Sequence, residues 1–223
     1  MPADPRPTLL LTRPQPGAKR FAALMRGWRC VISPILRIVP VDHDASILGD
    51  AQGLVFTSAH AVPWAGPGRG RPALCVGAHT AREARAAGFD VTEGAGTADS
   101  LLPLIARAPV PLIHAHGRHL AKMLPVPGVV VYDQKAVGLS AKAKALLADP
   151  GPVILPIFSP RTATVLSTQV ADARAAITVV AISDAALRNW SGPARHAIVA
   201  ERPDAQAMRD AILRLRPQGA EQS

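Results

Sequence analysis

A short apolar run, an abrupt polar turn and a helix-like segment follow one another between residues 153 and 170, and this succession constrains the fold more than any other feature. Residues 153–158 (VILPIF) are apolar, as expected of a strand covered on both faces of a sheet. Ser159 and Pro160 match a helix N-cap followed by proline at the first helical position. Backbone N–H groups at such a helix start lack intrahelical partners, so the turn suits an anion.

The chain repeats this succession at other places. Strand-like runs lead into small or capping residues and then into Ala-rich, helix-like segments at residues 53–62, 72–81 and 177–186. The unequal intervals exclude a short-period solenoid. Alternating strands and helices form parallel sheets, and ligand sites gather at the carboxyl ends of their strands. Every βαβ unit has a polar turn, so one such turn alone indicates no function.

Two extended segments predict that one domain is inserted into another. Residues 30–41 are nearly all apolar, and Pro34 and Pro40 favour a strand that leaves one sheet and becomes a connector. A second crossing is expected near residues 130–133. We therefore predict an α/β fold of two flavodoxin-like parallel-sheet domains, the second inserted into the first and joined to it by two extended crossing strands. The predicted bounds are residues 1–36 with 133–223 for the first domain and residues 37–132 for the second.

The net charge favours an acidic partner. Lys and Arg total 25 against 16 acidic residues, which gives a formal charge of +9 over 223 residues. These cations are scattered singly, and Trp28, Trp64, Trp190 and Tyr132 are not interleaved with basic clusters as in a platform for single-stranded nucleic acid. We therefore rank nucleic acid last among the ligand classes and predict no nucleic-acid partner.

Cysteine usage and the N-terminal residues favour a cytoplasmic protein. Cys30 and Cys75 stand alone, without CxxC spacing, as expected of reduced thiols in a reducing compartment. Residues 1–7 do not resemble a signal peptide, and the apolar residues 9–11 are too few to span a bilayer. We expect neither a membrane segment nor a membrane partner.

Three histidines invite comparison with a metal site. His114 and His116 alternate on a predicted strand and would share a face, and His119 follows closely. No carboxylate or thiol accompanies them in the sequence, and a zinc site needs three or four ligands. We therefore predict no metal ligand.

Short motifs follow one another along the chain in a characteristic order. They are residues 12–14 (TRP), 33–36 (SPIL), 57–62 (TSAHAV), 76–81 (VGAHTA), 131–132 (VY), 158–163 (FSPRTA) and 201–203 (ERP). No single motif is specific. Their order and spacing together resemble those of the uroporphyrinogen-III synthase family over nearly the whole chain.

This resemblance implies an enzyme that cyclises hydroxymethylbilane, a linear tetrapyrrole, to uroporphyrinogen III with inversion of ring D and loss of water. In the mechanism proposed for the family, loss of hydroxide gives an azafulvene, the substituted carbon of ring D attacks it, and a spiro-pyrrolenine rearranges before closure. The resemblance also implies no cofactor, and a monomer with at most transient contact with the preceding deaminase.

The resemblance further implies a set of site residues. Tyr132, directly after a predicted strand at residues 129–131, matches the family tyrosine thought to assist departure of the hydroxyl group. The other matches imply contacts with substrate carboxylates at Arg13, Ser58, His60, Thr80, Gly117, Ser159, Pro160, Arg161 and Ser183. The arginines suit bidentate binding of carboxylates. The serines and Thr80 would also serve as helix caps without any ligand.

Three departures from the family pattern concern these sites. His60 stands where relatives usually have asparagine, His116 stands where arginine is frequent, and Ser183 begins a turn that lacks the usual glycine and threonines.

The alternative function is a non-catalytic two-domain clamp that binds an anionic metabolite. Exported clamps of that kind carry a signal peptide, and the clamp does not explain the ordered motifs.

Overall fold

The computed structural model describes residues 7–215 and divides the chain into two compact units. Unit 1 contains Met1–Arg37 and Ala136–Ser223, and unit 2 contains Ile38–Lys135. The predicted boundaries, after residue 36 and before residue 133, lie within three residues of these divisions. Residues 1–6 and 216–223 of the first predicted domain lie outside the described residues.

The described residues form eleven strands and eight α-helices. The strands are β1 (Thr8–Leu11), β2 (Cys30–Ile32), β3 (Leu36–Pro40), β4 (Gly53–Phe56), β5 (Pro72–Cys75), β6 (Asp90–Glu93), β7 (Leu112–Gly117), β8 (Gly128–Ala136), β9 (Pro152–Ile157), β10 (Ala176–Ala181) and β11 (His196–Val199). The helices are α1 (Gln15–Leu24), α2 (Ala45–Gly49), α3 (Ala78–Ala86), α4 (Leu102–Ala106), α5 (Ala141–Ala148), α6 (Pro160–Gln169), α7 (Asp184–Arg188) and α8 (Ala205–Leu213). Each of these helices is too short or too polar to cross a lipid bilayer.

Unit 1 is built on a five-stranded sheet with the order β11-β10-β9-β1-β2, and all its strand pairs are parallel. Renumbered within the unit and read from β2, this is the flavodoxin order 2-1-3-4-5. Alternate residues of β1 pack on opposite faces. Leu10 packs with α5, α6 and α7, whereas Leu9 and Leu11 pack with α1 and α8. The predicted α/β fold with parallel sheets is therefore confirmed.

Unit 2 is built on a six-stranded sheet with the order β3-β8-β7-β4-β5-β6. The neighbours from β8 to β6 pair in parallel. Read from β6, strands β4 to β8 follow the doubly wound order 3-2-1-4-5, which differs from the flavodoxin order of unit 1. Phe56 packs on one face with α3, and Val55 packs on the other with α4.

The two segments predicted as extended crossing strands do form strands. Residues 30–41 supply β2 to the first sheet and β3 to the second, with Ser33 and Pro34 in the bend between them. The second crossing is the nine-residue strand β8, which continues well past the predicted end at residue 131.

The segment after β4 differs from the predicted helix. It forms a turn at residues 58–61 and a single 3-10 turn at Val62–Trp64. Pro63 lacks the backbone N–H that a longer helix requires, and positive-φ glycines follow at Gly66 and Gly70. The sequence had indicated that Ser58 caps an α-helix. This prediction was wrong, because no α-helix begins at Ser58.

Candidate anion-binding site

Each sheet has one pair of neighbouring strands at which its strand order reverses. Ligands of open α/β sheets bind at this switch point, outside the carboxyl ends of the strands. In unit 1 the pair is β1 and β9, and in unit 2 it is β4 and β7. The ten predicted site residues fall into two sets, one in each unit, at or near these carboxyl ends.

Arg13 lies two residues after the end of β1, and its side chain packs beside the switch point of unit 1. Its Cζ lies 4.2 Å from the centre of the Phe158 ring, in a cation–π contact. A Cβ on Gly17 would approach the Arg13 Nε to 2.5 Å, so glycine leaves room for the guanidinium against the first turn of α1. Within residues 7–215, no carboxylate forms an ion pair with Arg13.

The environment of Arg13 disfavours an uncompensated positive charge. Burial, and secondarily the nearby Arg20, lower the pKa of Arg13 to about 10. The side chain therefore still carries its charge at pH 7, and among residues 7–215 no carboxylate pairs with it to offset the lost hydration. A bound anion would supply this compensation.

The start of α6 lies next to Arg13 in the sheet order. Ser159 is the N-cap, and its Oγ accepts a 3.1 Å hydrogen bond from the Thr162 backbone N–H, as predicted. Pro160 occupies the first helical position, and Arg161 follows it as a half-buried residue. A ten-residue helix that begins beside a half-buried arginine gives this edge a positive potential.

Ser183 caps α7 after the neighbouring strand β10. Its Oγ accepts a 3.3 Å hydrogen bond from the Ala186 backbone N–H. This hydroxyl therefore stabilises a helix of only five residues. Ser159 and Ser183 occupy equivalent positions after adjacent parallel strands.

Ser58 and His60 lie in the turn that follows β4 in unit 2. The Ser58 Oγ accepts a 3.3 Å hydrogen bond from the His60 backbone N–H. Thr57, between the strand and this turn, forms a 2.9 Å hydrogen bond through Oγ1 with His114 Nε2 on β7. Burial, and secondarily His116, lower the pKa of His114 to about 4, so this imidazole is neutral at pH 7.

Tyr132 was predicted to follow the end of a strand. It is instead buried within β8. The residue is 4% exposed and lies opposite Gly117, next to an irregularity in the β7–β8 register. A Cβ on Gly117 would come within 2.4 Å of the Tyr132 Cζ, so any larger residue there would have to displace the Tyr132 ring. The His60 and Tyr132 rings meet edge to face at 5.9 Å. Gly117, Tyr132 and His60 thus form one contact group, which sequence order alone did not indicate.

Thr80 does not cap a helix. It is the third residue of α3 and is 5% exposed, and the N-cap position belongs to the extended Gly77, which makes no side-chain cap. A Cβ on Gly77 would lie 3.3 Å from the Gly96 Cα, so the two backbone segments pack closely here. Backbone N–H groups at this helix start are consequently not bonded to a capping side chain.

The three histidines that suggested a metal occupy different environments. His114 and His116 pack against each other, with ring centres 4.7 Å apart. His119 lies 3.4 Å from the Asp133 carboxylate, which also contacts Arg118. No group of three or more His, Cys, Asp or Glu residues among residues 7–215 could hold a metal ion.

The structure defines a doubly wound α/β protein with cationic and hydroxyl groups near its switch points, where ligands of open α/β sheets bind. A model of the uroporphyrinogen-III synthase HemD family matches residues 19–210. The chain belongs to the uroporphyrinogen-III synthase family.

Solved structures agree with this fold. The chain is similar to a uroporphyrinogen-III synthetase from Helicobacter pylori, at 16% identity and a TM-score of 0.64, over 95% of this chain and all of that one. It is also similar to a mutant uroporphyrinogen III synthase from Thermus thermophilus, at 18% identity and a TM-score of 0.51, over 94% and 98% of the two chains. A search of curated protein sequences finds no significant match.

Proposed function

We propose that this protein is a lyase that converts hydroxymethylbilane into uroporphyrinogen III, with inversion of ring D and release of water. The observation that carries the proposal is the family match over residues 19–210. The groups at the two switch points fit such a substrate, because a linear tetrapyrrole with eight carboxylates needs several anion contacts. No observation favours the alternative of a non-catalytic clamp.

Carboxylate binding is assigned to both sets of polar groups. In unit 1 the set is Arg13, Ser159, Pro160, Arg161 and Ser183, and in unit 2 it is Ser58, His60, Thr80 and Gly117. Helix starts contribute backbone N–H groups, each stabilising an anion by about 0.3–1 kcal/mol. Arg13 contributes a charge without an acidic partner in the described part of the chain. The formal charge of +9 favours approach of a polyanion.

Tyr132 is assigned to the departure of the hydroxyl group. As the C–O bond of the hydroxymethyl group breaks, the pyrrole nitrogen supplies electrons to the carbon and the leaving oxygen gains negative charge. A phenol can donate a hydrogen bond or a proton to that oxygen, which leaves as water. Packing against Gly117 and His60 limits the movement of the Tyr132 ring, and such assistance requires a well-placed phenol.

Most of the acceleration is assigned to orientation. The spontaneous reaction closes the ring without inversion, so the protein must fold the bilane such that the substituted carbon of ring D attacks. Fixing two reacting groups in a productive geometry lowers a barrier by up to roughly 7–11 kcal/mol in favourable cases. Carboxylate contacts spread over the substrate provide this fixation.

We also propose that the protein acts in the cytoplasm as a monomer, with at most transient contact with the preceding deaminase. Two free cysteines, Cys30 and Cys75, fit a reducing compartment. Size-exclusion chromatography with light scattering at micromolar concentration should give a mass near 23.3 kDa. A stable dimer would contradict the monomer.

The test of the function is the identity of the uroporphyrin isomer. Hydroxymethylbilane is generated enzymatically, incubated with the protein, oxidised and separated by chromatography. We expect isomer III to dominate, whereas a heat-denatured sample should give the spontaneous isomer I. Isomer I alone from the folded protein would refute the proposed function.

A further inference from the structure

A hydrogen bond joins the two strands that form the switch point of unit 2. It connects Thr57 Oγ1, just beyond the end of β4, to His114 Nε2 on β7, over 2.9 Å. Thr57 is half-buried and directly precedes Ser58, whereas His114 is 2% exposed. The bond therefore links a residue of the candidate anion-binding turn to a buried imidazole behind it.

Separate contacts hold the His114 backbone, its ring and the neighbouring His116 ring. The His114 backbone N–H donates a 2.8 Å hydrogen bond to the Pro127 carbonyl. Its ring packs on the His116 ring at 4.7 Å, and His116 Nδ1 in turn donates a 2.8 Å hydrogen bond to the Gly117 carbonyl. A Cβ on Gly128 would come within 2.5 Å of His116 Nε2, so glycine makes room for the second ring. Both imidazoles are thereby fixed against the strand.

The numbers of hydrogen-bond donors and acceptors on Thr57 and His114 limit which further hydrogen bonds the Thr57 hydroxyl can form. A neutral imidazole has one N–H donor and one acceptor nitrogen, and a threonine hydroxyl has a single proton. If Thr57 donates that proton to His114, only its lone pairs remain for other partners, and these repel a carboxylate. If His114 donates through Nε2–H instead, the Thr57 proton is available to an anion.

We propose that His114 is a positioning residue that donates through Nε2–H to Thr57 Oγ1 and thereby directs the Thr57 hydroxyl proton toward a substrate carboxylate. This inference rests on the proposed function. The proposal adds Thr57 to the anion contacts of unit 2. It also gives the buried His114 a role other than metal binding. A leucine at position 114 would preserve burial but could not orient the hydroxyl.

Four variants test this role: His114→Leu, Thr57→Val, their combination, and His114→Gln, whose amide can restore a donor near the Nε2 position. The readouts are kcat and KM for conversion of hydroxymethylbilane to isomer III, together with the Tm of each variant. We expect a KM about 10-fold higher in His114→Leu and in Thr57→Val, with little change in kcat. The combined variant should show no further increase, and His114→Gln should recover most of the affinity.

The possible results separate the inference from the function on which it rests. A wild-type KM retained in folded His114→Leu or in folded Thr57→Val overturns the inference while the synthase function stands. KM effects that multiply in the combined variant also overturn it, because the two side chains would then act independently. If His114→Leu does not fold, the same KM in Thr57→Val and wild type decides against the proposal. If the wild type forms only isomer I, the proposed function and the inference both fail.

Discussion

At the scale of single residues, the structure changes the interpretation of Tyr132. The sequence placed this residue after a strand, where a hydroxyl in water would be unremarkable. It lies instead inside β8, packed on Gly117 and on the His60 ring. A buried and fixed phenol suits assistance to a leaving group better than a solvated one, because its position is set before the substrate binds.

Tyr132→Phe should therefore lower kcat for isomer III by about 10²-fold, within the usual range for assistance by a general acid, and leave KM nearly unchanged. Gly117→Ala should give a similar loss with the tyrosine still present, because the added Cβ would displace the Tyr132 ring. Steady-state kinetics of both variants checks these expectations. A wild-type kcat in Tyr132→Phe would remove the tyrosine from the mechanism.

Several residues of the site were accessible from the sequence, whereas their contacts were not. Ser159 and Pro160 form a local cap signal, and the structure contains that cap. The partners Thr57 and His114 are 57 residues apart, and their bond depends on the neighbouring positions of β4 and β7. The Arg13 and Phe158 contact likewise depends on the pairing of β1 with β9. One sequence contains no direct signal for either pairing.

At the scale of elements, hydrophobic runs and caps predicted most of the secondary structure. The buried strands β4 and β9 are apolar, and Ser140, Ser159 and Asp204 each cap the helix that follows them. Two elements were not foreseen. Strand β6 is largely exposed and shows no apolar run, and α2 has only five residues, so neither produces a recognisable period.

The α6 cap allows stability and binding to be separated. Ser159→Ala should lower the free energy of unfolding by about 1 kcal/mol, because the Thr162 N–H loses its acceptor. It should also raise KM, because the start of α6 lies at the switch point of unit 1. The matched control is Ser140→Ala, which removes the cap of α5 beside the edge strand β2.

Ser140→Ala should destabilise the protein by a similar amount with an unchanged KM. Chemical denaturation and steady-state kinetics of both variants provide the two quantities. Equal KM values in the two variants would show that the α6 start makes no contact with the substrate.

At the scale of the whole molecule, the insertion of one unit into another was predictable because the prolines in residues 30–41 interrupt an otherwise strand-like run. The strand order of unit 2 was not predictable, because it depends on which parallel neighbours pair, and a single sequence contains no direct signal for that pairing. This order matters for function, since it places the reversal between β4 and β7.

Substrate carboxylates are proposed to bind at the switch points, and a variant of Arg13 tests this binding most directly. The measurement is the KM for hydroxymethylbilane of Arg13→Gln against Arg26→Gln, an exposed arginine that follows the opposite end of α1. Both variants lose one positive charge, so a general effect of net charge would be the same. We expect a KM about 10-fold higher for Arg13→Gln and a wild-type KM for Arg26→Gln. A folded Arg13→Gln variant with the same KM as Arg26→Gln would contradict it.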